Sequence, residues 1–304
     1  MKIRKTKKID ETASSMVEKL SPADQIVNVI IIILCGLIAF CCVVPMWHVL
    51  MSSISDGKTL MTHEGLAWLP VGKATLDGYK YLFSDSSVIT GYVNSLIYTV
   101  CATALGFFVS ATAGYALSRD TKLKKFMILF QMFTLMFNGG MVPTYMVIRK
   151  LGWVGTRWAL IIPGCTNAMF TIMMMNAFNS VPKEMYEAAR IDGASHFCTL
   201  FKVMLPQAMN LGAVVILNNV IMQWNAWFNA SIYVPNDREL WPLQLVIKQL
   251  TADNANFLRN ANPNYSRYLL QYAVIIAAIL PIIIALPFFQ DKLEKGVITG
   301  GVKG

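Results

Sequence analysis

Residues 187–206 read EAARIDGASHFCTLFKVMLP, and this stretch decides how the rest of the chain is interpreted. It carries Glu187, Arg190, Asp192 and Lys202 and lies between two long stretches without charge. Connections between membrane spans are usually short, so a structured polar insert of this length needs a function of its own. We expect residues 180–207, called the docking segment below, to be a contact surface for another protein.

The charge-free stretches on either side belong to a set of six that contain no Asp, Glu, Lys or Arg. They cover residues 25–55, 86–118, 126–148, 158–182, 203–236 and 268–290. Each exceeds the roughly 20 residues that a helix needs to cross about 30 Å of hydrocarbon. Buried helices of a large soluble core are the alternative, but those would be shorter and would carry charged faces at helical spacing. With 55% hydrophobic and 14% charged residues, the chain is predicted to be an all-α polytopic membrane protein.

We predict one transmembrane domain over residues 1–304, with six membrane helices. The helices are placed at 26–51, 88–117, 126–148, 158–179, 208–234 and 268–289. A basic tail at 1–25 precedes them and a second tail at 290–304 follows them. Loop 52–90 is expected to be partly folded, and loop 236–267 is either a contact surface or a disordered excursion. In the third helix, Gly139, Gly140 and Pro143 indicate either a bend or close helix packing.

The uneven distribution of basic residues predicts the orientation in the membrane. Of the 26 Lys and Arg residues, 16 fall in the segments 1–24, 119–125, 179–207 and 291–304. Positive charge accumulates on the cytoplasmic side of membrane proteins, so both termini and the docking segment are assigned to the cytoplasm. The other ten lie in the loops 52–90, 149–157 and 236–267, and the cluster of Arg149, Lys150 and Arg157 in the short second loop fits this topology least well. The clusters of basic residues behind the net charge of +9 are thus explained by orientation, and no nucleic acid partner is expected.

The sequence offers no motif for catalysis, ATP binding or a metal site. It contains no GxxxxGK[ST], HExxH or GxSxG pattern, and its six Cys and three His lack metal-ligand spacing. A secondary transporter would need ion-coupling carboxylates or His inside its spans, and the charge-free spans contain no such carboxylates. A membrane enzyme would need converging acid, base or nucleophile groups. We therefore expect neither enzymatic activity nor a cofactor in this chain.

The docking segment is predicted to fold as two short helices around a tight turn. Ser180 is expected to cap the first helix and Gly193 to supply the left-handed residue that ends it. Ser195 then caps a second short helix, which Pro206 ends or kinks. A smooth face with apolar contacts is expected from Ala188, Ala189, Met185, Phe197, Phe201 and Met204. The alternative, an amphipathic hairpin on the lipid surface, would need Lys and Arg along one side.

The same stretch resembles, position by position, the EAA motif of permeases from binding-protein-dependent ABC importers. The matching positions are Glu187, Ala188, Ala189, Asp192, Gly193, Ala194, Phe201, Leu205 and Pro206. Further strings resemble the carbohydrate branch, in particular its maltose-type inner-membrane subunits. They are GYALSR at 114–119, NGGMVPTY at 138–145, Trp224–Asn225, and KGVITGGVKG at 295–304. With loop 66–83 included, the resemblance extends over nearly the whole chain.

This resemblance implies the type I importer fold and a set of partners in the bacterial cytoplasmic membrane. The partners are a second permease subunit, commonly a different chain, two ATP-binding cassette subunits and an extracytoplasmic solute-binding protein. ATP and Mg²⁺ would bind the ATPase subunits, with Glu187 pairing to a basic residue there and residues 295–304 lying against them. Loop 236–267 would reach the binding protein. The implied solute is an oligosaccharide; phosphate, a polyamine or a metal complex is the alternative.

Polar residues of the fifth helix are candidates for the solute pathway. Asn218, Asn225 and Asn229 are spaced i, i+7 and i+11, so a continuous helix would place them on one face. Amides beside aromatic rings suit a sugar, which offers hydroxyls for hydrogen bonds and C–H faces for stacking. Helix–helix hydrogen bonding and an interfacial aromatic belt are the alternatives. The other candidates are Gln223, Trp224 and Trp227, and more weakly Gln131, Thr166 and Asn167.

Overall fold

The computed structural model describes residues 22–252 and 267–290, and its regular secondary structure in these ranges is helical, without a strand. Most of the tail at 1–25, residues 253–266 of the predicted contact loop and residues 291–304 lie outside these ranges. The helices are α1 (Pro22–Ser53), α2 (Gly57–Thr62), α3 (Asp77–Ser84), α4 (Ser86–Ser118), α5 (Lys124–Met136), α6 (Met141–Lys150), α7 (Trp158–Cys165), α8 (Ala168–Asn179), α9 (Lys183–Ile191), α10 (His196–Trp224), α11 (Phe228–Tyr233), α12 (Leu243–Ala252) and α13 (Arg267–Ala285).

Four of these helices are long and apolar enough to cross a membrane: α1, α4, α10 and α13, the last extending to Gln290. Two bent pairs reach the same length when their members are taken together. Helices α5 and α6 meet at 111°, and α7 and α8 meet at 43°. If each bent pair counts as one span, the described residues hold six, which is the number that the charge-free stretches predict.

The third predicted helix, 126–148, is two helices because the chain turns sharply between them. Gly140 has φ +88°, a left-handed conformation that side chains disfavour, and its N–H donates to Asn138 Oδ1 at 2.9 Å. A Cβ at Gly139 or Gly140 would meet no atom within 4 Å. Close packing within the described part of the chain therefore does not explain these glycines, whereas the 111° angle between α5 and α6 agrees with a bend.

The fourth and fifth predicted helices are also interrupted. Thr166 and Asn167 are extended between α7 and α8, and the Asn167 side chain caps α8 by accepting from Met169 N at 2.9 Å. The fifth helix was placed at 208–234, but α10 ends at Trp224. Asn225 follows as its C-cap and α11 begins only at Phe228. A continuous helix over 208–234 was therefore a wrong prediction.

Helix α10 begins inside the docking segment and continues into the membrane region without a separate short helix. Residues Thr199–Met204 form a wider π-helical turn, and Leu205 N donates to Leu200 O, five residues back. Pro206 follows directly and cannot donate a hydrogen bond. The wider turn accommodates the missing donor, because the hydrogen-bond register changes just before the proline. The prediction that Pro206 ends a second short helix was wrong.

Helix α4 is the centre of the bundle and packs against α7, α8, α10 and α12. Two glycines let its backbone approach these neighbours closely. A Cβ at Gly106 would lie 2.6 Å from Asn219 Nδ2 and 2.7 Å from Cys165 O. A Cβ at Gly114 would lie 2.7 Å from Met174 Cβ. Small residues of this kind are what membrane helices use to pack tightly.

The hydrophobic core has two main parts, one toward each end of α4. The first surrounds Trp224 and includes Val88, Leu243 and Val274. The second is built from Tyr115, Phe170, Met174, Phe178, Val181, Leu200 and Met204. Because Val181 and Leu200 belong to the docking segment, that segment is rooted in the second core.

Helices α1 and α5 carry apolar surface that the described part of the chain leaves uncovered. Helix α5 has no buried residue, and its exposed side chains include Phe126, Leu129, Phe130 and Met136. The most apolar stretch of α1 has none buried either. Surfaces this apolar are compatible with lipid or with another membrane chain.

Candidate docking surface and solute pathway

The turn of the docking segment has the geometry of a Schellman motif. Gly193 has φ +77° and its N–H donates to Arg190 O at 3.2 Å. Ala194 N donates to Ala189 O at 3.0 Å, which closes the last turn of α9. The Arg190 side chain adds a hydrogen bond to Ala194 O at 2.7 Å. The prediction that Gly193 ends the first helix in a left-handed conformation is confirmed.

One helix cap was predicted wrongly and one correctly. Ser180 does not cap α9; it is the C-cap of α8, and its hydroxyl donates to Ala177 O at 2.7 Å. Helix α9 instead begins after Pro182, which has no side chain able to cap. Ser195 does cap α10, because its hydroxyl accepts from Cys198 N at 3.3 Å.

The docking segment exposes one set of motif residues and packs another set inward. Exposed positions are Glu187, Ala188, Asp192 and Gly193, whereas Ala194 and Leu205 are half-buried and Pro206 is exposed. Ala189 is buried, so it packs inward. It does not share an exposed smooth face with Ala188, as had been predicted. Met204 is likewise buried in the second core.

Two large apolar side chains protrude beside the turn. Ile191 is 85% exposed and Phe197 is 68% exposed. Ile191 was not predicted as a contact residue, although an isoleucine next to Asp192 and Gly193 in a polar turn is a recognisable sequence signal. An exposed apolar pair on both sides of a rigid turn is typical of a surface that binds a partner.

A row of stacked rings connects the docking segment to α4. Phe201 lies with its ring centroid 6.0 Å from that of Phe108 and 6.5 Å from that of Phe197. The rings are nearly parallel, at 10° and 7°. Phe201 thus stacks within the chain on one side, while Phe197 presents the exposed end of the row.

A cationic contact makes a second connection between these elements. The Arg119 Cζ lies 4.4 Å from the Tyr186 ring centroid and 5.3 Å from the Tyr115 ring centroid. Arg119 is the C-cap of α4, and Tyr186 is in the middle of α9. From the sequence, Arg119 was noted only as the end of GYALSR. Tyr186, which forms the cation–π contact with Arg119, was missed.

The three asparagines predicted for the pathway do not share one helix face. Asn218 is in α10, Asn225 is its C-cap, and Asn229 is in α11 beyond the break. All three are exposed. Asn218 Nδ2 donates to Val214 O and Asn225 Nδ2 donates to Ile221 O, each at 2.9 Å, so both amides keep a free oxygen. Asn218, Met222 and Asn225 still form an exposed strip at the end of α10, whereas Asn229 belongs to the separate helix α11.

Trp224 and Gln223 hold helices together. Trp224 is only 3% exposed, and its Nε1 donates to Ala278 O of α13 at 2.9 Å. Gln223 Nε2 donates to Gly164 O of α7 at 2.7 Å. These contacts favour the helix-packing alternative for both residues. Asn167, which caps α8, also has a structural role.

A buried polar group near the break between α7 and α8 was missed from the sequence. Asn219 is 2% exposed, and its Oδ1 lies 3.4 Å from Gln223 Nε2. On α4, the buried hydroxyls of Thr99 and Thr103 have no hydrogen-bond partner within the described structure. Asn219 is adjacent in sequence to Asn218, and only the fold shows which of the two points inward.

Comparison with known proteins assigns the family. Residues 95–299 match the binding-protein-dependent transport system inner membrane components. Protein LplC of Bacillus subtilis (strain 168) is 37% identical over 237 residues, which are 76% of this chain and 79% of LplC. The polygalacturonan/rhamnogalacturonan transport system permease protein YtcP of the same organism is 31% identical over 272 residues, 88% of this chain and 94% of YtcP.

A solved structure agrees with this assignment. One chain of a bacterial ABC transporter involved in the import of the acidic polysaccharide alginate is 29% identical, with a TM-score of 0.80. The match covers 91% of this chain and 100% of that one. The bent spans and the docking segment therefore belong to a known permease architecture. This chain is a member of the family of binding-protein-dependent transport system inner membrane components.

Proposed function

We propose that this chain is the permease subunit of an ATP-driven importer for an oligosaccharide that an extracytoplasmic binding protein delivers. The names of its relatives support the solute class: YtcP is a polygalacturonan/rhamnogalacturonan permease, and a Halalkalibacterium halodurans relative, AraQ, is an arabinooligosaccharide permease. The alginate importer also handles a polymer of sugars. These solutes differ in charge and linkage, so they support an oligosaccharide class and not one particular sugar.

The observation that carries the mechanism is the rigid, protruding turn at Gly193, with Ile191 and Phe197 exposed beside it. We assign it to the cytoplasm together with both termini, because basic residues concentrate in the same set of segments. There it would fit into a cleft of one ATP-binding cassette subunit, with the exposed Glu187 available to a basic side chain. The assembly would hold two such subunits, which bind ATP and Mg²⁺ and carry out hydrolysis.

Force from the ATPase would reach the membrane helices through the docking segment itself. Helix α10 starts in that segment and runs on to Trp224, so movement of the turn moves a spanning helix directly. The Phe201–Phe108 stack and the Arg119–Tyr186 contact would carry the same movement to α4. The chain would thus convert closure of the ATPase pair into a change of helix packing.

The exposed strip of Asn218, Met222 and Asn225 would line the solute pathway at the interface with a second permease subunit. Amides in contact with hydrocarbon are unfavourable, so this strip needs a partner helix or a water-filled cavity to face. The exposed apolar surface of α6 suits the same partner. A different chain would be the second subunit, as is common in the carbohydrate branch.

Uptake of defined solutes tests the proposal. A strain lacking this chain should fail to accumulate at least one of two labelled solutes, oligogalacturonides or arabinooligosaccharides. A plasmid copy of the gene should restore that uptake. Phosphate and putrescine uptake should be unaffected. Loss of phosphate or putrescine uptake with normal uptake of all the oligosaccharides would overturn the solute class. Purification of the tagged chain should recover the ATPase and second permease subunits, and recovery of the chain alone would contradict the assembly.

A further inference from the structure

A cavity of about 590 Å³ lies where the end of α4, the start of α5 and the start of α10 meet. It is lined by Tyr115, Ala116, Arg119, Thr121, Lys122, Leu123, Met127 and His196. The cavity is separate from the exposed turn at Gly193 and from the asparagine strip of α10. Its lining shares Arg119 with the contact to Tyr186, but no role proposed above uses the cavity itself.

The lining is cationic and contains no carboxylate. Arg119 donates from Nε to the Ser118 hydroxyl at 3.0 Å and otherwise faces two tyrosine rings. Lys122 forms no ion pair with any described residue. The acid of this loop, Asp120, is bound to Lys124 at 2.9 Å, and that hydrogen bond holds the pKa of the Asp120 carboxyl below its usual range. The positive charge of the cavity is therefore left for a ligand.

A second observation points to a ligand with an oxygen acceptor. Tyr115 lines the cavity and is 6% exposed, yet its hydroxyl has no hydrogen-bond partner in the described part of the chain. A buried donor without an acceptor is unfavourable, and a phosphate or ester oxygen would satisfy it. Arg119 and Lys122 supply the charge that such an oxygen needs.

The remaining wall is apolar and continues onto a membrane-facing surface. Leu123 and Met127 line the cavity and are exposed, and Phe126 and Phe130 continue the exposed apolar surface along α5. We propose that the cavity binds the phosphate headgroup of an anionic phospholipid, with the acyl chains lying along α5. The proposal rests on the orientation given under the proposed function, because anionic lipid faces residues 119–125 only if they are cytoplasmic.

Binding there would couple lipid composition to the docking segment. Arg119 contacts Tyr186 of α9, and His196 is the first residue of α10. A bound headgroup would therefore bridge α4, α5 and α10 at the place where the docking segment meets the membrane domain. Transport should then depend on anionic lipid even though no lipid touches the solute.

Native mass spectrometry of the full chain, purified in detergent with whatever subunits accompany it, tests this directly. Phosphatidylglycerol and phosphatidylcholine are titrated separately, and bound lipids are counted. We expect preference for phosphatidylglycerol, and Lys122→Gln should weaken its binding about fivefold, the contribution typical of one cation near a membrane surface. The matched control is Lys125→Gln, which removes an exposed lysine three residues away that does not line the cavity. It should bind like the unaltered chain.

Equal binding of both lipids, or equal weakening by Lys122→Gln and Lys125→Gln, would overturn the proposal. Competition with inorganic phosphate and with glycerol 3-phosphate separates the sources of the phosphate group. Displacement of the lipid by either soluble anion at an equal concentration would show a free-anion site and reject a lipid site. A thermal melt confirms that Lys122→Gln is folded. Lipid binding is measured independently of solute uptake. If uptake of oligosaccharides is confirmed but the chain shows no preference for phosphatidylglycerol, only the lipid-binding proposal fails. If the lipid preference is found but oligosaccharide uptake is not, only the proposed function fails.

Discussion

The Arg119 guanidinium lies against the face of the Tyr186 ring, with Cζ 4.4 Å from the ring centroid. Arg119 caps the end of a helix that is central to the bundle, and Tyr186 is in the first helix of the docking segment. A contact between a cation and an aromatic face is worth about 0.5–2 kcal/mol, and more as water is excluded. It therefore fixes the angle between the docking segment and α4 without an ion pair.

Replacing the ring tests this contact. Tyr186→Leu should lower uptake by about three- to tenfold, because the loss of about 1 kcal/mol lets α9 move without α4. Tyr186→Phe retains the ring and is the matched control, which should transport nearly as well as the unaltered chain. The measurement is labelled-solute uptake in cells, normalised to the amount of chain in the membrane.

A structural role alone would not change the coupling ratio, so uptake and ATP hydrolysis are also measured together with the complex reconstituted in proteoliposomes. We expect Tyr186→Leu to retain ATPase activity while its transport per ATP falls. If transport and hydrolysis fall together, or if Tyr186→Phe is as damaged as Tyr186→Leu, the contact does not transmit movement.

The turn at Gly193 gives a prediction that depends on backbone conformation alone. A Cβ there would meet nothing within 4 Å, so Gly193→Ala costs only the left-handed strain of φ +77°, about 1–2 kcal/mol. The Schellman hydrogen bonds should loosen and binding of the ATPase should weaken about fivefold or more. Gly193→Asn should be milder, since asparagine tolerates this conformation better. Co-purification of ATPase subunits measures both, and equal recovery with Ala, Asn and Gly would contradict the role of the turn.

Sequence patterns predict the six apolar stretches and the left-handed turn at Gly193 because their physical signals are local. Charge-free runs indicate which stretches are long enough to cross a membrane. Gly193 ends a helix because glycine adopts the left-handed conformation without steric strain. The π-helical turn before Pro206 was not predictable in this way, since Pro206 alone is compatible with a stop, a kink or a change of register. Likewise, Asn218 and Asn219 are chemically identical neighbours, and only packing against Gly106 distinguishes the inward one.

Close packing at Gly106 should make this position intolerant of even one methyl group. A Cβ would lie 2.6 Å from Asn219 Nδ2 and 2.7 Å from the Cys165 carbonyl, which is backbone and cannot rotate away. Gly106→Ala should destabilise the chain by about 1–3 kcal/mol. Gly36→Ala in α1 is the control, because nothing lies within 4 Å of its Cβ position. Thermal melts in detergent compare the two, and an equal melting temperature for both variants would contradict the packing.

Trp224 and Asn225 are adjacent in sequence, but we expect different roles for them: helix packing for Trp224 and solute contact for Asn225. Trp224→Phe removes the hydrogen bond to Ala278 O in the core and should lower stability by about 1–3 kcal/mol. Asn225→Ala removes an exposed amide that bonds only to its own helix, so stability should change by less than about 0.5 kcal/mol. If the exposed strip of α10 lines the pathway, Asn225→Ala should instead raise the KM of uptake several-fold. Unchanged uptake kinetics for Asn225→Ala would remove this residue from the pathway, and an unchanged melting temperature for Trp224→Phe would contradict its role in packing.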